Sequence, residues 1–172
     1  MRERLTNERL VTLTGLGGVG KSRLAIEAAR ALGDTFPAGV WLVELAGQPY
    51  CGDHATCAEI VDMVAATLEI RDDGPPGPPG DRSPREPMDR LVAALRGRRM
   101  LLLLDNCEHV VAPVAQLTEK LLGAAADLRI LATSREPLGI PGEVVFRCRR
   151  WACRTPEPAR GRSPRLRRFG SS

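Results

Sequence analysis

Gly15-Leu16-Gly17-Gly18-Val19-Gly20-Lys21-Ser22 places four glycines, a lysine and a serine at the spacing G-x-x-x-x-G-K-[ST]. Each residue type has a task in holding a polyphosphate. The glycines let the backbone curl so that successive N–H groups point inward at phosphate oxygens. Lys21 brings a mobile cation to the β- and γ-phosphates, and the Ser22 hydroxyl is a hard oxygen ligand for Mg²⁺. A helix opening at Lys21 adds the positive end of its dipole. The candidate nucleotide-contacting set is Gly15, Gly17, Gly18, Val19, Gly20, Lys21, Ser22 and Arg23. At average composition a chance match in a chain of this length has odds on the order of one in a hundred or less. The competing reading is a plain glycine-rich turn between strand and helix.

Three further residues complete the candidate chemistry. Asp105 follows the apolar run Met100 to Leu104, which puts its carboxylate at the C-terminal end of a buried strand, where open α/β sheets bind ligands. There it could hold Mg²⁺ through water, or cap the next helix. Glu108 is the nearest carboxylate that could orient an attacking water, and equally a first-turn acid of the following helix. Arg135 follows the apolar strand Arg129 to Thr133. Its guanidinium could read a γ-phosphate or form a surface ion pair. The predicted catalytic set is Lys21, Asp105, Glu108 and Arg135; the predicted metal ligands are Ser22 and Asp105. His109 reads as a solvated helix residue.

The elements that must position these groups alternate in type. Leu10 to Thr14 reads as a buried strand running into the glycines, and Lys21 to Leu32 as a helix with Leu24, Ala28 and Ala31 on one face and Gly33 as its stop. Val40 to Leu45 is a second strand. Thr56 to Ile70 is a helix with a Thr56–Glu59 capping box and inward Ile60, Met63, Val64, Thr67 and Leu68. Residues 71–85, rich in Pro and Gly, form a linker. A helix begins at Ser83-Pro84-Arg85-Glu86 with Met88, Leu91, Val92 and Leu95 as its stripe. Met100 to Leu104, Arg129 to Thr133 and Val144 to Phe146 are strands, and Pro113 to Ala124 is a helix with Val114, Leu117 and Leu121 inward. Alternation of this kind predicts an α/β fold, a parallel sheet covered on both faces.

Composition sets the surroundings. With 43% hydrophobic and 3% aromatic residues over 172, the core must be aliphatic. No apolar run is long enough to cross a bilayer and no secretion leader is evident, so a cytoplasmic location without membrane contact is expected. The net charge of +4 averages two unlike parts. Residues 147–172 hold nine Arg against one acid, Glu157, so the body is mildly acidic. Residues 1–147 are expected to be one domain, and 148–172 a basic, disordered tail in which Trp151 and Phe169 are too scattered to stack bases. The abrupt change near Arg147 fits a misread end of the reading frame better than a nucleic-acid arm. Five cysteines at irregular spacing predict free thiols, and Cys51, His54 and Cys57 lack a partner pair for zinc.

Leu10-Val11-Thr12-Leu13-Thr14-Gly15, Leu103-Leu104-Asp105-Asn106-Cys107-Glu108-His109 and Ile130-Leu131-Ala132-Thr133-Ser134-Arg135-Glu136-Pro137-Leu138-Gly139 together resemble the NB-ARC ATPase module of AfsR- and LuxR-like bacterial transcriptional regulators, in the STAND class of signalling NTPases. The resemblance covers about Arg9 to Phe146. It implies a P-loop NTPase three-layer sandwich with a mainly parallel five-stranded sheet in the order 5-1-4-3-2. It implies ATP and ADP with Mg²⁺ as ligands, Arg135 as sensor, and a nucleotide switch acting on other domains or chains of the regulator. DNA would be contacted only through a domain absent from this chain. Asn106 stands where many members of the class have a second acid, which implies slow or absent hydrolysis. A metabolic P-loop enzyme such as a small-molecule kinase, and a non-catalytic fragment, are the competing readings. The Pro/Gly-rich 71–85 segment makes a poor kinase lid.

Overall fold

Residue alternation in one strand decides the architecture. In β3 (Met100–Asp105), Leu101 and Leu103 pack into one core while Leu102 and Leu104 pack into another, and all four are fully buried. A strand with apolar residues on both faces must have layers on both sides. The computed structural model describes residues 2–45, 57–70 and 86–148, and in it β3 pairs with β2 (Val40–Glu44) and β4 (Leu128–Ser134). β4 pairs with β1 (Leu10–Thr14), which pairs with β5 (Glu143–Arg147). Every pairing is parallel and the order is β2-β3-β4-β1-β5. This is the 5-1-4-3-2 order that the resemblance implies.

One face is covered by α2 (Lys21–Arg30), whose Ala25, Ala28 and Ala29 meet Val11, Leu13, Leu103 and Leu131. Leu5 of α1 (Arg2–Asn7) joins this layer. The other face is covered by α3 (Cys57–Thr67), α4 (Pro87–Leu95) and α5 (Val111–Ala124). Ile60, Val64, Leu91, Leu95, Val114, Leu117 and Leu121 supply its core. No helix among the described residues is long and apolar enough to cross a membrane.

Several predicted limits shift. α2 ends at Arg30, and Ala31 is exposed while Leu32 is buried; the inward face is set by Ala25, Ala28 and Ala29, a small-residue stripe that lets the helix lie close on the sheet. α3 ends at Thr67, and Glu69 turns to a positive φ of 53°. α4 begins at Pro87, which takes the first helical turn after Glu86, whose backbone angles are extended. α5 begins earlier, at Val111, with Val114 N–H donating to Val110 at 3.0 Å. Pro113 is tolerated because first-turn N–H groups have no helical partner. Thr56, the 71–85 linker, Ser83 to Arg85 and the tail from 149 onward lie outside the described residues, as do Cys51 and His54. Among the described residues no His, Cys, Asp and Glu cluster could hold a metal, and Cys57, Cys107 and Cys148 are free thiols.

Arg9 ties the entry of β1 to the exit of α5. Its Nη2 donates to the carbonyls of Leu122 at 2.6 Å and Ala125 at 2.5 Å, satisfying helix-end acceptors and meeting the negative end of the α5 dipole. Arg129, at the start of β4, has its pKa pushed down by burial and then by the charges of Arg9 and Arg99. Arg9→Ala therefore removes two hydrogen bonds and also relieves a repulsion. The expected loss is about 1–2 kcal/mol, checked by the midpoint of urea unfolding.

Candidate phosphate-binding site

The glycine loop begins where β1 ends. Gly15, Gly18 and Gly20 have φ of 151°, 75° and 88°, values that side chains rarely permit, and Gly20 is the N-cap of α2 in the left-handed region. Among the described residues, no backbone carbonyl takes the N–H of Gly17, Gly18, Val19 or Gly20. Lys21 is the first residue of α2 and is only 7% exposed. Its Nζ donates to the carbonyls of Gly15 at 2.9 Å and Leu16 at 3.1 Å, so the ammonium lies beneath the loop rather than out in solvent. An ammonium has three protons, and these two bonds leave one for a ligand. Ser22 is half-buried in the first turn of the helix, and Arg23 is exposed beside it.

Sheet register brings the remaining groups to the same edge. β1 and β4 end level, with Thr14 opposite Ser134, and Leu104 of β3 lies opposite Ala132. Asp105 therefore sits beside Thr133, one strand from the loop. Thr133 Oγ1 donates to Asp105 Oδ1 at 2.5 Å and accepts from the Asn106 N–H at 2.9 Å. One Asp105 oxygen is thus fixed by a neighbour.

Asn106 turns the chain sharply, with φ 68° and ψ 47°, a left-handed conformation that asparagine tolerates better than most residues. The short 3₁₀ turn Cys107–His109 follows. Glu108 falls within that turn and its side chain is only 8% exposed. Its Oε1 accepts from Arg135 Nε at 3.2 Å. The Asn106 amide nitrogen, oriented as its neighbours require, lies 3.1 and 3.2 Å from the two Glu108 oxygens. The Arg135 side chain is 63% exposed, yet its Nη2 would stand 3.9 Å from a Cβ placed on Gly17. Arg135 thus spans from the β3–α5 turn to the glycine loop.

A domain profile described as NB-ARC matches residues 1–138. A Mycobacterium tuberculosis protein that bears the name "Putative HTH-type transcriptional regulator" is 46% identical over 147 residues, covering 86% of this chain and 15% of that protein. The chain belongs to the NB-ARC family. A second, uncharacterized M. tuberculosis protein is 34% identical over 147 residues, which cover 34% of its length. This NB-ARC chain therefore spans well under half the length of the curated relatives it matches. Among solved structures, it is similar in fold to a Signal Transduction ATPase with Numerous Domains from Pyrococcus horikoshii (TM-score 0.50, 14% identity, 86% of this chain and 22% of that one). It is also similar to Cdc6p from Pyrobaculum aerophilum (TM-score 0.51, 23% identity, 85% and 41%).

Two features of this NB-ARC site were not anticipated from sequence. The first is Thr133, whose hydroxyl orients Asp105; its position at the end of an apolar strand was visible, its partner was not. The second is Cys148, just after β5, whose N–H donates to the Thr14 carbonyl at 2.7 Å and whose own carbonyl would stand 2.7 Å from a Cβ on Gly15. Burial pushes the Cys148 thiol pKa up, and the nearby Lys21 charge partly offsets this. The Cys107 thiol, fully buried and followed by the acidic Glu108, is pushed up further by burial and then by the Asp105 charge.

Proposed function

We propose that this NB-ARC chain is the nucleotide-binding switch module of a cytoplasmic transcriptional regulator, taking ATP or ADP with Mg²⁺ and turning over slowly or not at all. The reading rests above all on Lys21, held under a loop of positive-φ glycines at the sheet edge that also presents Asp105. The residues present fit the ligand. The N–H groups of residues 17–20 and the third proton of Lys21 suit phosphate oxygens, with Gly15, Gly17, Gly18, Val19, Gly20, Lys21, Ser22 and Arg23 as the contacting set. Ser22 and Asp105 are hard oxygen donors that would hold Mg²⁺, which when bound neutralises charge on the β- and γ-oxygens. Arg135 would read the γ-phosphate.

Slow turnover follows from where the acids stand. Phosphoryl transfer to water needs a group free to orient the nucleophile. Asn106 is an amide, and Glu108 is already engaged by Asn106 and Arg135. We expect kcat below about 1 per second, under the ordinary enzyme range, in a phosphate-release assay. The module would act on other domains or chains of the regulator, and DNA would be reached through one of them. Residues 1–147 would form the module, with 71–85 a surface connector and the basic segment 148–172 outside it.

Calorimetric titration with ATP and with ADP, each with Mg²⁺, tests the reading on the full chain and on a chain ending at residue 148. Saturable binding of both nucleotides by both chains is expected. Binding of neither would remove the proposal, and rapid transfer to a small-molecule acceptor would replace it with a kinase.

A further inference from the structure

Arg135 cannot report on a phosphate unless something aims it. More than half of its side chain is in solvent, and a free arginine there samples many rotamers. The structure shows what restrains it. Glu108 is buried where Arg135 is exposed, and the two meet through Nε at 3.2 Å. Holding a guanidinium by Nε leaves both terminal nitrogens unengaged by that contact, and Nη2 lies 3.9 Å from where a Cβ on Gly17 would stand. Glu108 is itself restrained. Asn106 donates to its carboxylate from a backbone kink, and that kink is fixed by the Asn106 N–H bond to Thr133 at 2.9 Å. Thr133 also holds Asp105. One hydroxyl therefore sets both the candidate metal acid and the support of the candidate sensor.

We propose that Glu108 is a positioning residue, seated by Asn106, that aims the Arg135 fork at the glycine loop and thereby makes this chain discriminate nucleoside triphosphate from diphosphate. The inference rests on the nucleotide-binding reading above. Its buried carboxylate neutralises Arg135 at one edge and leaves the other for the terminal phosphate. A charge-assisted bond from a shielded carboxylate fixes the direction of an otherwise solvated guanidinium. The role differs from water activation, in which the carboxylate would face the attacking oxygen rather than an arginine.

The test compares ATP and ADP affinities, with Mg²⁺, for the full chain and its variants, with far-UV circular dichroism as the folding control. Glu108→Ala is expected to weaken ATP by about ten-fold or more and to leave ADP nearly unchanged. Glu108→Gln keeps an acceptor for Nε and should retain most of the ATP affinity. In an Arg135→Ala background, Glu108→Ala should add nothing. Asn106→Gly, which preserves the positive φ, should give a smaller loss in the same direction and serves if Glu108→Ala does not fold. Parallel loss of both nucleotides, or a gain in ATP affinity, would overturn the proposal. So would loss of turnover at unchanged affinity in Glu108→Gln, which would assign the carboxylate to water activation. A wild type that binds neither nucleotide would instead remove the underlying nucleotide reading.

Discussion

Lys21→Ala should eliminate measurable ATP and ADP binding while leaving the chain folded. The ammonium is lodged beneath the loop, with Nζ at 2.9 and 3.1 Å from the Gly15 and Leu16 carbonyls. Removing it takes away a charge-assisted contact to phosphate and also two bonds that hold the loop's shape. A charged hydrogen bond contributes about 1.5–3 kcal/mol, and loss of loop order adds to that. A drop of at least about a hundred-fold, roughly 3 kcal/mol, is expected. The cost to stability is smaller, because the two lost acceptors are loop carbonyls that water can reach once the side chain is gone. It should be near 1 kcal/mol, or about 2–4 °C in melting temperature for a chain of this size. Calorimetry and a thermal melt on the same sample separate the two effects. Affinity within a few-fold of wild type would contradict the role assigned to Lys21.

Gly15→Ala should be the most damaging single methyl in the loop. Gly15 has φ of 151° and its added Cβ would stand 2.7 Å from the Cys148 carbonyl and 3.3 Å from Val19 Cγ2. The first obstacle is backbone and cannot rotate away, so either the loop or the β5 exit must move. Forbidden backbone angles and overpacking each cost on the order of 1–3 kcal/mol, giving an expected loss of about 3 kcal/mol or more. Gly18→Ala is the informative comparison: its φ is 75° but a Cβ there meets nothing within 4 Å. It should bear the conformational cost alone, about 1–2 kcal/mol. Urea midpoints for the two variants distinguish steric closure from backbone preference, and equal destabilisation would contradict the close approach.

The strands and the loop were legible because their signals are local. Leu10 to Thr14 is apolar and β-branched up to the glycines, and the strand has those limits. Asp105 closes a fully buried run and terminates β3. What escaped was non-local or too short to show a period. α1 has six residues with Leu5 as its buried anchor, so it has no stripe to detect. The Glu108–Arg135 pair joins residues 27 positions apart. Each was readable as a candidate, but their meeting depends on the β3–β4 register that sets Leu104 against Ala132, which no local pattern encodes. The order of the strands came from family resemblance, since alternation alone predicts a parallel sheet without saying which strands are neighbours.

The exit of β5 has a mechanical consequence. Arg147 is paired with Thr14, the Cys148 N–H is bonded to the Thr14 carbonyl, and the Cys148 carbonyl faces Gly15. The chain thus leaves the sheet against the hinge from which the phosphate cradle springs. A displacement of the backbone at residue 148 would bear on Thr14, to which it is bonded, and on Gly15, which it adjoins. A shift of one peptide unit at that point would change the room left to the first residue of the loop.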